Sequence, residues 1–188
     1  MRLNIGIIMG GYSKEIDISF KSGNVVYDIL KINLTATEFI FLKKNGFILT
    51  IQIKNLMLIK ETFEIDQRPE IKFDCIFNAI HGSPGENGVM QNYFSKLGIP
   101  ITGCGSKESE LTFDKIKCLK FLRNKGIKTA KSTSLKKIPE IKSEKIQKEI
   151  GFPCFIKASK SGSSFGVYKV YNQEEFIDCL NSAFEIDR

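Results

Sequence analysis

Short apolar stretches recur along the chain, each closed by glycine or by a polar turn. RLNIGIIM (2–9) reads as a buried strand, GGYS as a turn, and KEIDISFKSGNVVYDILK (14–31) as a helix. On that helix Ile16, Phe20, Val26 and Ile29 form a broad apolar side, and Ser13 is the candidate N-cap. TATEFIFL and FILTIQI flank Lys44-Asn45-Gly46, where the Asn-Gly pair predicts a hairpin. The stretch 54–72 fits neither period. FDCIFNAI (73–80) is an apolar run of strand length, and after the loop HGSPGENG a helical pattern ends at Gly98, a C-terminal glycine cap. A short strand IPIT and a GCG turn lead to SKESELTFDKIKCLKFLRNKG. That segment reads as one helix, with Leu111, Ile116, Leu119 and Leu122 on one face and Gly126 as its stop.

Up to about Ile101 the rhythm of strand and helix predicts an open parallel, Rossmann-like sheet domain, residues 1–101. Beyond Gly126 the chain turns polar and lysine-rich, with a helix expected from about Pro139 to Ile150. Two strands follow, GFPCFIK and GVYKVY, joined by KASKSGSSFG (157–166). The end, from Asn172, reads as a helix opened by a capping-box-like pair, Asn172 and Glu175. Residues 102–188 therefore form the second expected part, a smaller α+β region with antiparallel strands. No internal repeat or low-complexity tract interrupts either part.

The 188 residues, 42% hydrophobic and 26% charged, suffice for one sizeable core or two small ones. No run approaches the ~18 apolar residues of a membrane span, and the N-terminus lacks the flanks of a secretory signal, so a cytoplasmic protein with no membrane partner is expected. The five cysteines are widely spaced and never form C-x-x-C, which predicts reduced, mostly core thiols and no metal site. The net charge of +7 comes from lysine spread through an Ile, Lys and Asn rich sequence. No binding motif or aromatic-basic interleaving accompanies it, so the charge argues only weakly for a nucleic-acid partner.

Four loops carry polar residues just after strands, where open α/β sheets bind ligands. In GGYSKE the glycines allow close backbone approach. Glu15 either complements the helix dipole or holds an ammonium group. In HGSPGENG stands His81, the chain's single histidine, either a structural residue or a donor to a carboxylate. TGCGSKE is a near miss of the dinucleotide fingerprint, with Glu108 where the third glycine belongs, which disfavours a nicotinamide cofactor. On the helix beyond it, Asp114-Lys115 is either a solvated charge pair or places a lysine toward an anion. The fourth loop, KASKSGSSFG, is no Walker A motif. Joining two strands, it is either a plain hairpin or a cover for a triphosphate, offering backbone N–H groups, hydroxyls and Lys157.

Taken together and in order, GGYSKE with Ile18-Ser19 and Ser22-Gly23, HGSPGENG with Gln91, ITGCG, Ser109 with Leu111 and Asp114-Lys115, GFPCFIK, and SGSSFGVYKV resemble the D-alanine:D-alanine ligase family of the ATP-grasp superfamily. The resemblance implies a pre-ATP-grasp domain followed by the first part of an ATP-grasp domain, and a homodimer. It implies a reaction in which ATP, with Mg2+ or Mn2+, phosphorylates one D-alanine and the amine of a second displaces phosphate, supplying peptidoglycan precursors. By that likeness Glu15 orients the first D-alanine's ammonium and, with Ser163, belongs to the catalytic network. Ile18 lines the pocket and His81 lies near the carboxylate. Lys115, Lys157, Gly162, Ser163, Ser164 and Gly166 attend the ATP phosphates.

Departures from the family pattern are Ala158 where proline is usual, predicting a less constrained strand exit, Asn87 for aspartate, Asn92 for glycine, and Ile16 for a basic residue. The resemblance reaches only the N-terminal part of the family. Its adenine strand, substrate arginine and metal ligands have no counterpart here, so this chain alone is expected to lack metal binding and turnover. The competing readings are a non-catalytic remnant or binding module, a D-alanine:D-lactate ligase, and a basic nucleic-acid-binding protein.

Overall fold

A computed structural model describes residues 3–33, 36–43, 46–51, 54–57, 62–65, 72–135 and 143–186. The chain divides into two compact units, Met1–Glu110 and Leu111–Arg188.

The first unit is built on a five-stranded sheet of order β4-β3-β2-β1-β5. Its strands are β1 (Asn4–Gly10), β2 (Ala36–Lys43), β3 (Gly46–Ile51), β4 (Lys54–Met57) and β5 (Cys75–Asn78). β1 pairs in parallel with both β2 and β5, while β2, β3 and β4 run antiparallel to one another. The expected parallel sheet is thus its β2-β1-β5 part, and the antiparallel edge brings Lys43 opposite Gly46, as the hairpin reading requires. Residues 44–45 of that hairpin lie outside the described residues, as does much of the ambiguous 54–72.

β1 is buried on both faces because successive side chains point to opposite sides. Ile7 and Met9 pack with Ala79 against α1 (Ile16–Asn33), through Phe20, Val26, Tyr27 and Leu30. Ile8 packs on the other side with Ile76, Ile80, Phe63, Ile65 and Phe73, against Met90 and Phe94 of α2 (Val89–Leu97). Phe94 meets Phe63 edge to face at 4.6 Å. α2 ends as expected at Gly98, whose φ of 69° is the left-handed conformation that glycine adopts without penalty.

Two expectations for α1 are corrected. Ile29 is 57% exposed and is not part of the apolar side. At about 100° per residue it stands roughly 120° round the helix from Gly23, which faces Met9. Ser13 does not cap the helix either. Its Oγ accepts the Glu15 N–H at 3.1 Å, in a turn that precedes Ile16.

The expected single helix over 106–126 is also corrected. It is two, α3 (Ser106–Phe113) and α4 (Lys115–Asn124), and the division between the units falls within α3. Asp114 breaks the run by turning extended, φ −89° and ψ 104°, so that its side chain can accept from Ile116 and Lys117 N–H. The break resets the helical phase. α4 buries no residue, and Ile116 is exposed.

The second unit packs α5 (Ser143–Glu149) and α6 (Phe176–Phe184) on the antiparallel pair β6 (Cys154–Lys157) and β7 (Val167–Val170). Its core joins Ile146, Cys154, Ile156, Val170, Phe176 and Leu180. The start of the α5 prediction, from Pro139, lies outside the described residues. The expected Asn172 N-cap is corrected: α6 starts at Phe176 with Glu175 as its N-cap and no side-chain cap bond, and in the turn before it Asn172 Oδ1 accepts the Glu175 N–H while Glu175 accepts from Tyr171 N–H. All five cysteines are free, and burial pushes the Cys154 and Cys179 thiols up. Among the described residues no helix is long and apolar enough to cross a membrane.

Candidate functional site

In the first unit the polar residues gather at the ends of β1 and β5, held there by serines of α1 and the turn before it. Ser19 Oγ is fully buried. It accepts the Gly10 N–H at 2.8 Å and donates to the Ala79 carbonyl at 2.8 Å, joining the last residue of β1 to the segment after β5. Ser13 Oγ donates to the His81 carbonyl at 2.9 Å, and Ser22 Oγ lies 3.0 Å from His81 Nε2. His81 is therefore held by its backbone and by its ring.

Glu15 is buried, 4% exposed, at the N-terminus of α1. A Cβ on Gly82 would stand 2.9 Å from its Oε2 and 2.8 Å from Ser13 Oγ, so the carboxylate rests directly on the glycine after His81. Gly82 in turn donates its N–H to Glu86 Oε2 at 2.9 Å. Of the predicted substrate residues, Glu15 and His81 are thus brought to one place around Gly82. Ile18 lies on α1 with its side chain 40% exposed.

Asn87, the departure within HGSPGENG, has local work. Asn87 donates from Nδ2 to Ser83 Oγ at 3.0 Å and accepts the Val89 N–H at 3.3 Å. An aspartate could not supply the donor half. The TGCGSKE loop packs on the same region, where Thr102 Oγ1 accepts Asn78 N–H and Ser106 Oγ donates to the Gly88 carbonyl.

In the second unit Asp114, Lys115 and the glycine-serine loop form a separate cluster. The buried Asp114 Oδ1 accepts from Ile116 N–H, Lys117 N–H and Ser159 Oγ at 3.0, 3.1 and 2.8 Å. Burial pushes its carboxyl up. The Lys117 N–H, the Ser159 hydroxyl, the Ile116 N–H and the Lys160 charge outweigh that and hold it below its ordinary value. Lys115 donates its backbone N–H to the Ser159 carbonyl, and its Nζ to the carbonyls of Ser159 at 3.3 Å and Ser161 at 2.6 Å. The solvated-pair reading of Asp114-Lys115 is accordingly replaced: one residue caps a helix and the other reaches the loop.

The loop closes on itself. Ala158 N–H donates to the Gly166 carbonyl, Phe165 N–H to Gly162, Val167 N–H to Ser164, and Ser161 Oγ to Phe165. Ala158 therefore does not loosen the strand exit, because its N–H adds a ladder bond that proline would lack. Ser163 and Ser164 are exposed with φ of 44° and 62°, a left-handed pair that costs about 1–2 kcal/mol per residue. The exposed Lys157 holds Nζ 5.6 Å from the centre of the Phe155 ring.

Ser19 and Ser22 were read only as matches within the resemblance and Ser159 only as part of the loop; the linking roles of these three and of Ser13 escaped the sequence reading. A usable signal existed for two of them: Ser19 and Ser22, three apart, repeat a hydroxyl on one face of an otherwise amphipathic helix.

Residues 4–104 match the family described as the D-Ala D-Ala ligase N-terminus, and residues 121–188 match the D-Ala D-Ala ligase C-terminus. A D-alanine–D-alanine ligase of Christiangramia forsetii is 42% identical over the whole chain, which spans 58% of that relative's length. The solved D-alanyl-alanine synthetase A of Vibrio cholerae superposes with a TM-score of 0.84 at 26% identity, covering 99% of this chain and 57% of that one. The VanG D-Ala:D-Ser ligase of Enterococcus faecalis does so with 0.79 at 26% identity, over 100% and 61%. With more than half of the chain matched to the N-terminal model and the α/β architecture of solved ligases reproduced, this chain belongs to the D-Ala–D-Ala ligase family.

Proposed function

We propose that the chain supplies the first D-alanine site and the phosphate-covering loop of an ATP-dependent ligase that makes D-alanyl-D-alanine for peptidoglycan precursors. The observation that carries this reading is the Glu15 carboxylate, buried against Gly82 beside His81 at the N-terminal end of a helix. A buried carboxylate at that place suits an ammonium group, and a neighbouring imidazole suits a carboxylate, so the pair has the polarity of an amino acid.

The reaction consumes one ATP. A carboxylate oxygen of the first D-alanine attacks the γ-phosphorus and ADP leaves. The amine of the second then attacks the acyl phosphate, releasing phosphate and a proton. Lys115, Lys157 and the loop Gly162, Ser163, Ser164 and Gly166 are proposed to offset the phosphate charge. For Lys115 this means exchanging the neutral carbonyls of Ser159 and Ser161 for phosphate oxygens, a stronger acceptor for an ammonium.

Mg2+ or Mn2+ belongs to the same reaction. Among the described residues no group of three or more His, Cys, Asp or Glu could hold a metal ion. The likeness to VanG, named as a D-Ala:D-Ser ligase, supports a first-substrate role for these residues and leaves the second substrate to others.

The test is a titration of the chain with D-alanine, followed by calorimetry and by the imidazole resonances of His81, the single histidine. Saturable binding that is lost in Glu15→Gln and weaker for L-alanine is expected. Absence of any D-alanine-dependent change at millimolar ligand overturns the proposal.

A further inference from the structure

The turn that carries Gly82 is closed by Asn78, the last residue of β5. Both halves of its side-chain amide are in use. Oδ1 accepts the Ile80 N–H at 3.2 Å and Nδ2 donates to the Gly85 carbonyl at 2.8 Å, so one side chain spans the two ends of the turn 80–85. Those ends lie directly on each other: a Cβ on Gly85 would stand 2.5 Å from both the Ile80 Cβ and the Ile80 carbonyl oxygen. Asn78 is itself anchored, because its backbone N–H donates to Thr102 Oγ1 at 3.0 Å.

A second amide, Gln91 Nε2 of α2, donates to the same Gly85 carbonyl at 2.6 Å, so both lone pairs of that oxygen are engaged. Gln91 does not span the turn, since its buried Oε1 has no hydrogen-bond partner and its contact ends at Gly85. The bridging geometry fixes the residue type at position 78. Aspartate lacks the donor that Gly85 meets, and an aliphatic side chain lacks both halves.

We infer that Asn78 is a positioning residue for the amino-acid site: by clamping Ile80 to Gly85 it sets Gly82 against the Glu15 carboxylate. This rests on the proposed D-alanine site. Within the clamped turn, a Cβ on Gly82 would stand 2.9 Å from Glu15 Oε2, and the His81 carbonyl accepts from Ser13 Oγ at 2.9 Å. Asn78 thus acts through the backbone of the turn, and a displaced turn alters both contacts.

The discriminating variant is Asn78→Asp. It keeps the shape and the acceptor for Ile80, but at neutral pH a carboxylate stands where Gly85 needs a donor. In acid the protonated carboxyl recovers an O–H for that carbonyl. Calorimetric affinity for D-alanine is expected to be about tenfold below native at neutral pH. It should approach native as pH falls through the titration of the new carboxyl, which ¹³C labelling of aspartate follows. Taking the ratio to native at each pH removes the shared titration of His81, Glu15 and Glu86, which lie on or against the turn in both chains. Asn78→Ala has neither half, and its deficit is expected not to change with pH.

Undiminished affinity in Asn78→Asp at neutral pH, or a deficit with the same pH course as that of Asn78→Ala, overturns the inference and leaves the D-alanine reading standing. No D-alanine binding by the native chain overturns that reading and the positioning role with it. In the native chain one Asn78 Nδ2 proton is also expected to exchange with solvent more slowly than those of the exposed Asn24. Equal rates overturn the clamp even where both variants misfold.

Discussion

Replacing Gly82 with alanine tests whether the Glu15 carboxylate is seated as described, provided that the cost of the backbone conformation is removed from the comparison. Gly98 permits that. The two glycines have nearly the same φ, 72° and 69°, and both belong to the first unit. A Cβ on Gly98 meets nothing within 4 Å, whereas a Cβ on Gly82 would stand 2.7 Å from Ser13 Cβ, 2.8 Å from Ser13 Oγ and 2.9 Å from Glu15 Oε2.

Alanine in the left-handed region costs about 1 kcal/mol at either position. At Gly82 the added methyl must also push aside side chains that cannot retreat. Ser13 is bonded to both the Glu15 N–H and the His81 carbonyl, and Glu15 is buried. Overpacking of that kind costs about 1–3 kcal/mol, and losing the Ser13 to His81 hydrogen bond adds about 1 kcal/mol. Gly98→Ala is therefore expected to destabilise by about 1 kcal/mol and Gly82→Ala by about 3–5 kcal/mol.

Urea unfolding followed by far-ultraviolet circular dichroism measures both, and an unchanged m-value confirms that the native and denatured states are otherwise comparable. The chain has no tryptophan, so tyrosine emission is the optical second probe. D-alanine affinity should fall in Gly82→Ala and survive in Gly98→Ala. Equal destabilisation by the two, within about 0.5 kcal/mol, would refute the packing of Glu15 and Ser13 on Gly82.

Phe94→Ala removes a fully buried ring that stands edge to face with Phe63 and Tyr93, and is expected to cost about 3–5 kcal/mol by urea unfolding; a loss under about 1 kcal/mol would contradict the core. Lys157→Ala is expected to weaken nucleotide binding far more than D-alanine binding in parallel calorimetric titrations, and equal losses would remove its assigned role. Asp114 has a folded pKa below its ordinary value of 3.8, so its stabilising effect is complete above that pH and disappears as pH falls through the lower folded value. Asp114→Asn should be less stable than the parent at neutral pH, by about 1 kcal/mol, and the gap should narrow in acid; a gap independent of pH would contradict the carboxylate's role as cap.

β1, β5, α2 and the β6–β7 pair were legible because each is a run whose own pattern decides its state: a strand buried on both faces, a helix stopped at glycine, two strands around a polar loop. Elements whose boundaries are set from afar were not. Leu111, Ile116, Leu119 and Leu122 keep a helical period across Asp114, yet the chain breaks there, where Asp114 accepts from Ser159, 45 residues away. Phe63 lay in a stretch without period, and it is held at φ 59°, which a bulky residue avoids. Its place is fixed by the rings of Phe73, Tyr93 and Phe94 around it, contacts that no local window contains.

The same division applies to the candidate site. Glu15, His81 and the glycine-serine loop announce themselves by residue type at strand ends, but what orients them is a set of hydroxyls on other elements. Serine is common in turns and helices, so a single one carries little information in the sequence. Its meaning comes from the partner, 59 residues away for Ser22 and His81 and 68 for Ser13 and His81. These bonds also join the ends of β1, α1 and the segment after β5, so the groups that orient the amino-acid site are part of what holds the first unit folded. Substitutions among the serines should consequently lower stability and D-alanine affinity together. Ser22, whose bond reaches only a side chain, should shift affinity with the smallest change in unfolding midpoint, a separation from Ser13→Ala and Ser19→Ala that urea titration can read.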